Sequence, residues 1–212
     1  MSKRKNNKFN INWKDENQVK EYHRQYRLKK KMNRLIERQK ETQLFYSRLH
    51  NLPLVDIAYI AGLFDGEGCI SVSSGIWKRH GRANINIRTQ HSLNVTIANQ
   101  HTPTLNYIKN VTGLGNIYKD SPKRQNYKWC VSCSRAMEFL KVIKPYLKIK
   151  IPQAELAIKL QEMIGQRNIK LDNNPRLGKV VYLTEEELQE RDKIRTEIMR
   201  LNHSYSLDKR IL

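Results

Sequence analysis

Ala58-Tyr59-Ile60-Ala61-Gly62-Leu63-Phe64-Asp65-Gly66-Glu67-Gly68 runs straight into the strand-like Cys69-Ile70-Ser71-Val72-Ser73. From Leu54 to Phe64 nearly every position is apolar, which predicts a helix buried from several directions and too short to span a membrane. Ala58, Gly62 and Gly66 stand four apart and share a helical face almost free of side chain, where a second helix can approach backbone to backbone. Glycine within a helix costs up to about 1 kcal/mol relative to alanine, so Gly62 calls for a packing reason. Gly66 and Gly68 predict a sharp turn at the exit that leaves Asp65 and Glu67 at the helix C-terminus, where the backbone dipole disfavours negative charge. Two carboxylates there invite a cation. The plain alternative is a buried helix with a glycine stop and solvated acids.

Working outward, 212 residues hold one good core with extensions. A formal charge of +20 surrounds the chain with positive potential, which favours an anionic partner, nucleic acid or membrane. No apolar run reaches about 18 residues and no signal-peptide pattern opens the chain, so membrane insertion and secretion are not expected. Nucleic acid is then the expected partner. The three cysteines, Cys69, Cys130 and Cys133, argue against a disulfide framework and for a reducing interior, and with a nucleic-acid partner the expected compartment is an intracellular one that contains DNA. Cys130-Val131-Ser132-Cys133 has the spacing of a zinc or redox pair, but it stands alone, without a second pair at finger spacing.

Residues 1–50 carry 15 Lys or Arg against 5 Asp or Glu, half of the net charge in a quarter of the chain. This is read as a basic, partly helical arm, with Asp15 and Gln18 as a variant capping box and a helix to about Arg48. Such a helix either lies along phosphates or is merely solvated. In the core, residues 51–166, two strands follow the apolar helix, about Cys69–Trp77 and Asn84–Ile97. In the second, Leu93, Val95 and Ile97 alternate with Gln90, Ser92, Asn94 and Thr96, so one face is core and the other wet. Amides and hydroxyls on a sheet face suit base edges in a major groove, and the pattern alone leaves a plain solvent face equally open. A helix with Thr102 as its cap and Pro103 in the first turn, two further strands, a helix from about Ser134 and a helix from Gln153 complete the core. Lys148 and Lys150, ahead of that last helix, are candidates to meet phosphate. Residues 167–212 are read as a loop and a helix opened by the capping box Thr184–Glu187, packed on the domain or on a partner.

Ile60-Ala61-Gly62-Leu63-Phe64-Asp65-Gly66-Glu67-Gly68 resembles the nine-residue signature of the LAGLIDADG homing endonucleases, here in one copy. The resemblance covers about residues 52–166, including the element order and a stretch, Pro145 to Gln153, similar to the family's lysine-containing segment. It implies an α+β fold of order αββαββα, with helices on one face of a four-stranded antiparallel sheet and a DNA-binding saddle on the other. It further implies a homodimer joined at the signature helix through Ala58, Gly62, Asp65 and Gly66. Glu67 would hold divalent metal, usually Mg2+, with the Gly66 carbonyl as a further ligand. Lys150 matches the active-site lysine, and Asn99, with Gln100 its neighbour, matches the polar position that orders water. A basic residue that some relatives carry at the start of the next helix has no counterpart near Thr102-Pro103.

On the saddle, Ser71, Ser73, Gln90, Ser92, Asn94, Thr96, Asn116 and Tyr118 would point to bases, and Arg82 and Arg88 to bases or phosphates. Lys128 is taken in the fourth strand, where the pattern leaves the facing open, and Lys148 joins the phosphate contacts. The expectation is a homodimeric, Mg2+-dependent, site-specific endonuclease on double-stranded DNA. The alternative is a non-catalytic binder of the same fold, a maturase acting on intron RNA or a DNA-binding regulator.

Overall fold

A computed structural model describes residues 15–80, 85–121, 124–172 and 183–208. The chain divides into two compact units, Met1–Ser47 and Arg48–Leu212. The first holds most of α1, Glu16–His50. The Asp15 carboxylate accepts the backbone N–H of Asn17 at 2.9 Å and of Gln18 at 3.3 Å, satisfying donors that an α-helix leaves free at its start. Thirty-five residues at 1.5 Å rise make a rod about 52 Å long, and its side chains are mostly solvent-exposed through Leu44.

In the second unit the signature stretch forms α2, Leu54–Glu67, followed directly by β1, Gly68–His80. Then come β2, Ile85–Asn99; α3, Thr102–Thr112; β3, Asn116–Ser121; β4, Arg124–Ser132; and α4, Cys133–Ile143. A 3-10 turn at Lys144–Tyr146 leads to α5, Ile151–Asp172, and finally to α6, Glu185–Asp208. The strands form one antiparallel sheet in the order β1-β2-β4-β3. Ile70, Val72, Leu93, Val95, Ile97, Trp129 and Val131 are buried beneath the helices, each such side chain contributing about 1.5–3 kcal/mol. The alternation expected of β2 is therefore present, and the same periodicity settles β4: Trp129 and Val131 face the core, while Lys128 stands opposite Tyr118 and Ala98 on the other face. Phe139 of α4 joins the two aromatic anchors, its ring centroid 5.9 Å from Phe64 and 5.0 Å from Trp129. The Trp129 indole N–H donates to the Leu114 carbonyl at 2.8 Å, so its polar edge is paired despite full burial.

Three local expectations change. The apolar run is not buried on every side: Ile57, Ile60, Ala61 and Phe64 face the core, whereas Leu54, Val55, Ala58, Tyr59 and Gly62 are exposed. The exit from α2 is not a glycine turn. Gly66 stays helical, and Gly68 takes an extended φ of −78° open to any residue. What Gly68 supplies is space, since a Cβ there would fall on the Phe64 ring and carbonyl. Thr102 is not a cap. It is the first residue of α3, the N-cap is His101, and the His101 side chain makes no capping hydrogen bond.

α6 covers the open edge of β1. Arg195 Nε donates to the Val72 carbonyl at 3.2 Å and Asn202 Nδ2 to the Ile70 carbonyl at 2.8 Å, satisfying edge groups that otherwise invite another strand. Ile194 and Ile198 are buried, and His91, enclosed on the core face of β2, meets Asp192 at 2.9 Å. The capping box forms as read: Glu187 N–H donates to Thr184 Oγ at 3.2 Å and Thr184 N–H to the Glu187 carboxylate at 3.3 Å.

Candidate active site and nucleic-acid interface

The two acids of the signature part ways although only Gly66 separates them. The Asp65 carboxylate turns to the segment before α5 and accepts the backbone N–H groups of Lys148 at 2.6 Å, Ile149 at 3.2 Å and Lys150 at 3.0 Å. The Lys150 ammonium returns to the Asp65 carbonyl. Asp65 thereby binds the end of α2 to the lysine segment, and Lys148 stays exposed beside it. Glu67 has the opposite environment: it is exposed and lines a cleft of about 640 Å3 with Ala98, Asn99, Gln100, Gln125 and Asn126. Asn99 is fixed by a turn, its side-chain carbonyl accepting the His101 N–H at 2.8 Å. Gly66 is exposed with open space around it. Just beyond, burial pushes the Cys69 thiol up, against the opposing positive charges of Lys150 and Lys128. Lys150 and Lys128 thus both act on Cys69, two residues beyond Glu67.

The open face of the sheet carries Ser71, Ser73, Gln90, Ser92, Asn94, Thr96, Asn116, Tyr118 and Lys128 in one register. Within it lies a polar network across three strands. Asn94 Nδ2 donates to Ser73 Oγ at 3.3 Å and to the Ser92 carbonyl at 3.2 Å, while Ser132 Oγ donates to Asn94 Oδ1 at 2.8 Å. Asn94 therefore already has both ends of its amide engaged. Lys128 pairs with Asp120 at 2.6 Å. Tyr118 is held above the usual phenol value by partial burial and by its hydrogen bond with Cys130. Arg88 occupies the position facing Trp77 on the backbone ladder; its side chain, and Arg82 altogether, lie outside the described residues.

Residues 60–151 match the family profile described as LAGLIDADG endonuclease. The match takes in the single signature helix, the four strands and the lysine segment. Over these residues the chain is of LAGLIDADG type. Among solved structures, the homing endonuclease I-CvuI in complex with its target is 21% identical over 69% of this chain and 82% of its own, with a TM-score of 0.50. The homing endonuclease I-TnaI is 17% identical over 71% of this chain and 95% of its own, also at 0.50. Both are likenesses of fold. No curated protein matches the sequence.

The LAGLIDADG core brings into the Glu67 cleft two residues to which sequence reading gave no site role, Gln125, read as the end of a loop, and Asn126, read as the start of the fourth strand. They arrive there because β4 begins at Arg124 and pairs Tyr127 with Asn99, a register that no local pattern announces. Among the described residues no three His, Cys, Asp or Glu gather to hold a metal ion. One chain therefore offers a cation the Glu67 carboxylate, nearby carbonyls and neutral amides. That donor set fits a hard, oxygen-seeking, water-rich ion such as Mg2+, which is normally held by one or two carboxylates plus substrate phosphate; it does not fit zinc.

Proposed function

We propose that this protein is a homing-type endonuclease that hydrolyses both strands of double-stranded DNA at a specific site, acting as a homodimer with Mg2+. The observation that carries the reading is the contrast between Asp65 and Glu67: one acid is spent on tying α2 to the lysine segment, and the other is left exposed in a polar cleft beside the open sheet face. Glu67, with the Gly66 carbonyl, would hold the divalent ion, whose chemistry is to lower the pKa of water and neutralise charge on the phosphate. The amides of Asn99 and Gln100 orient water in the cleft. Lys150, held by Asp65 at the neighbouring segment, balances negative charge at the phosphate or leaving oxygen. The open sheet face holds the duplex, with Gln90, Thr96, Asn116 and Tyr118 toward base edges and Lys148 toward phosphate.

The homodimer follows from what one chain lacks. A single carboxylate serves one strand, and the exposed face of α2, Leu54, Val55, Ala58, Tyr59 and Gly62, is an apolar strip with room at Gly62 and Gly66 for a close helix. Two-fold pairing through that strip places a second Glu67 at the base of the helix pair. The deciding experiment incubates purified protein with DNA carrying candidate intron-insertion sequences, in Mg2+ or in EDTA. Cleavage is expected in Mg2+ only, with Glu67→Gln at least about a hundredfold slower while still binding DNA, in line with the usual loss of a key electrostatic group. Equal cutting by Glu67→Gln overturns the reading. Binding without cleavage by the wild type leaves the non-catalytic alternative in its place.

A further inference from the structure

The core match ends well short of α1, and α1 has a feature that composition alone does not reveal. Lys20, Arg24, Arg27, Lys31 and Arg34 follow one another at intervals of 4, 3, 4 and 3 residues, and Arg38 continues the interval. In an uninterrupted α-helix these intervals place the cations within an arc of about 80°, along a line of about 21 Å from Lys20 to Arg34. Each of the five is exposed. Beyond Lys20 the acids stand off this line. Glu21 pairs with Arg24 at 3.4 Å from the side, and Glu16 reaches Lys20 at 3.1 Å from the helix start. Both are pairs in open water, held weakly enough to exchange for a phosphate.

A seam with cations at every position repels a copy of itself, which excludes parallel self-pairing through this face. The stripe also contains no amide or hydroxyl with which to distinguish bases, so its chemistry is charge alone, suited to a polyanion of regular spacing. We propose that this face of α1 is a phosphate-tracking surface that binds the backbone of duplex DNA flanking the stretch held by the core. The choice of duplex DNA rests on the endonuclease reading of the core. The contact is independent of sequence: it lengthens the footprint and adds affinity without altering which site is recognised.

The test compares two triple variants of the full chain that remove equal charge. One is Arg27→Gln, Lys31→Gln and Arg34→Gln, on the stripe; the other is Lys29→Gln, Lys30→Gln and Lys40→Gln, off it. Binding to a duplex of about 40 bp and arbitrary sequence is measured in EDTA across a salt series. The stripe triple is expected to reduce the slope of log K against log salt by about 2.7, close to 0.9 per lost phosphate contact, and the off-stripe triple to leave it nearly unchanged. Equal loss in both triples, or none in either, overturns the proposal. So does a stripe effect seen on single-stranded RNA or on anionic phosphatidylserine vesicles while duplex binding stays intact. Circular dichroism checks that α1 remains helical; should the triple unfold it, Arg27→Gln alone decides through a slope change of about 0.9. Because cleavage is not measured, the arm can fail while the nuclease stands, and the reverse.

Discussion

Asp65 and Glu67 show how far two like residues in one short motif can differ. Asp65 serves as the N-terminal anchor of the segment leading into α5, accepting three backbone N–H groups at once. Asp65→Ala leaves these donors to water and is expected to cost about 1–2 kcal/mol in urea unfolding, the range of a strong helix cap. It is also expected to lower cleavage through displacement of Lys150, whereas Glu67→Gln should leave stability unchanged because Glu67 is exposed in its cleft. A second residue-scale effect concerns pH. The hydrogen bond from Tyr107 to Asp56, 2.5 Å long, holds the phenol above its usual value, aided by desolvation and the Asp56 charge. A folded pKa raised above the unfolded one gives stability that is whole below about pH 10 and is lost as pH rises through the raised value. Absorbance titration near 295 nm is expected to show Tyr107 and Tyr118 ionising late, and Tyr107→Phe or Asp56→Asn to reduce the late amplitude to that of one tyrosine.

Among the elements, α6 is the one whose role depends most on its surroundings. In sequence it is an acidic-capped helix with apolar positions near helical spacing, and nothing in it specifies a strand edge as its partner. In the fold its Arg195 and Asn202 donate to successive outward carbonyls of β1 while Ile194 and Ile198 enter the core. Asn202→Ala and Arg195→Ala together are expected to cost about 2 kcal/mol, near 1 for each lost bond, and to increase concentration-dependent aggregation by uncovering the edge. Denaturant melts and light scattering read the two effects separately. The β2 strand behaves differently: its alternation was legible because one face is wholly buried, and a slip of one residue would have turned Leu93, Val95 and Ile97 to solvent. The Gln125 and Asn126 side of the cleft was not legible, since it depends on where β4 pairs with β2 rather than on the character of either residue.

For the molecule as a whole, the exposed face of α2 is the feature a single chain leaves unexplained. Gly62 has nothing within 4 Å of where a Cβ would stand, so no contact among the described residues requires a glycine there. Gly62→Leu is expected to keep or slightly raise the stability of the separate chain, because leucine is the better helix former by somewhat under 1 kcal/mol. On the proposed function, the same change is expected to abolish a dimer of twice 25.1 kDa in light scattering and to reduce cleavage with it. A variant that still dimerises removes α2 from the interface.

By itself, the sequence determined the signature helix with its small-residue face, the wet and dry sides of β2, the cap at Asp15, the capping box at Thr184 and the basic excess of the first fifty residues. These are local patterns, readable because helical and strand periodicities and end-caps are set within a few residues. Tertiary structure alone decided that Asp65 anchors and Glu67 is free, that Gly68 exists to clear Phe64, that Asn94 is satisfied within the sheet, and that α6 closes the β1 edge. Each of these depends on groups brought together across strand register or helix packing. The choice of partner for a carboxylate, an amide or a carbonyl edge is made by whichever group the fold places within hydrogen-bonding distance, and sequence neighbours do not specify it.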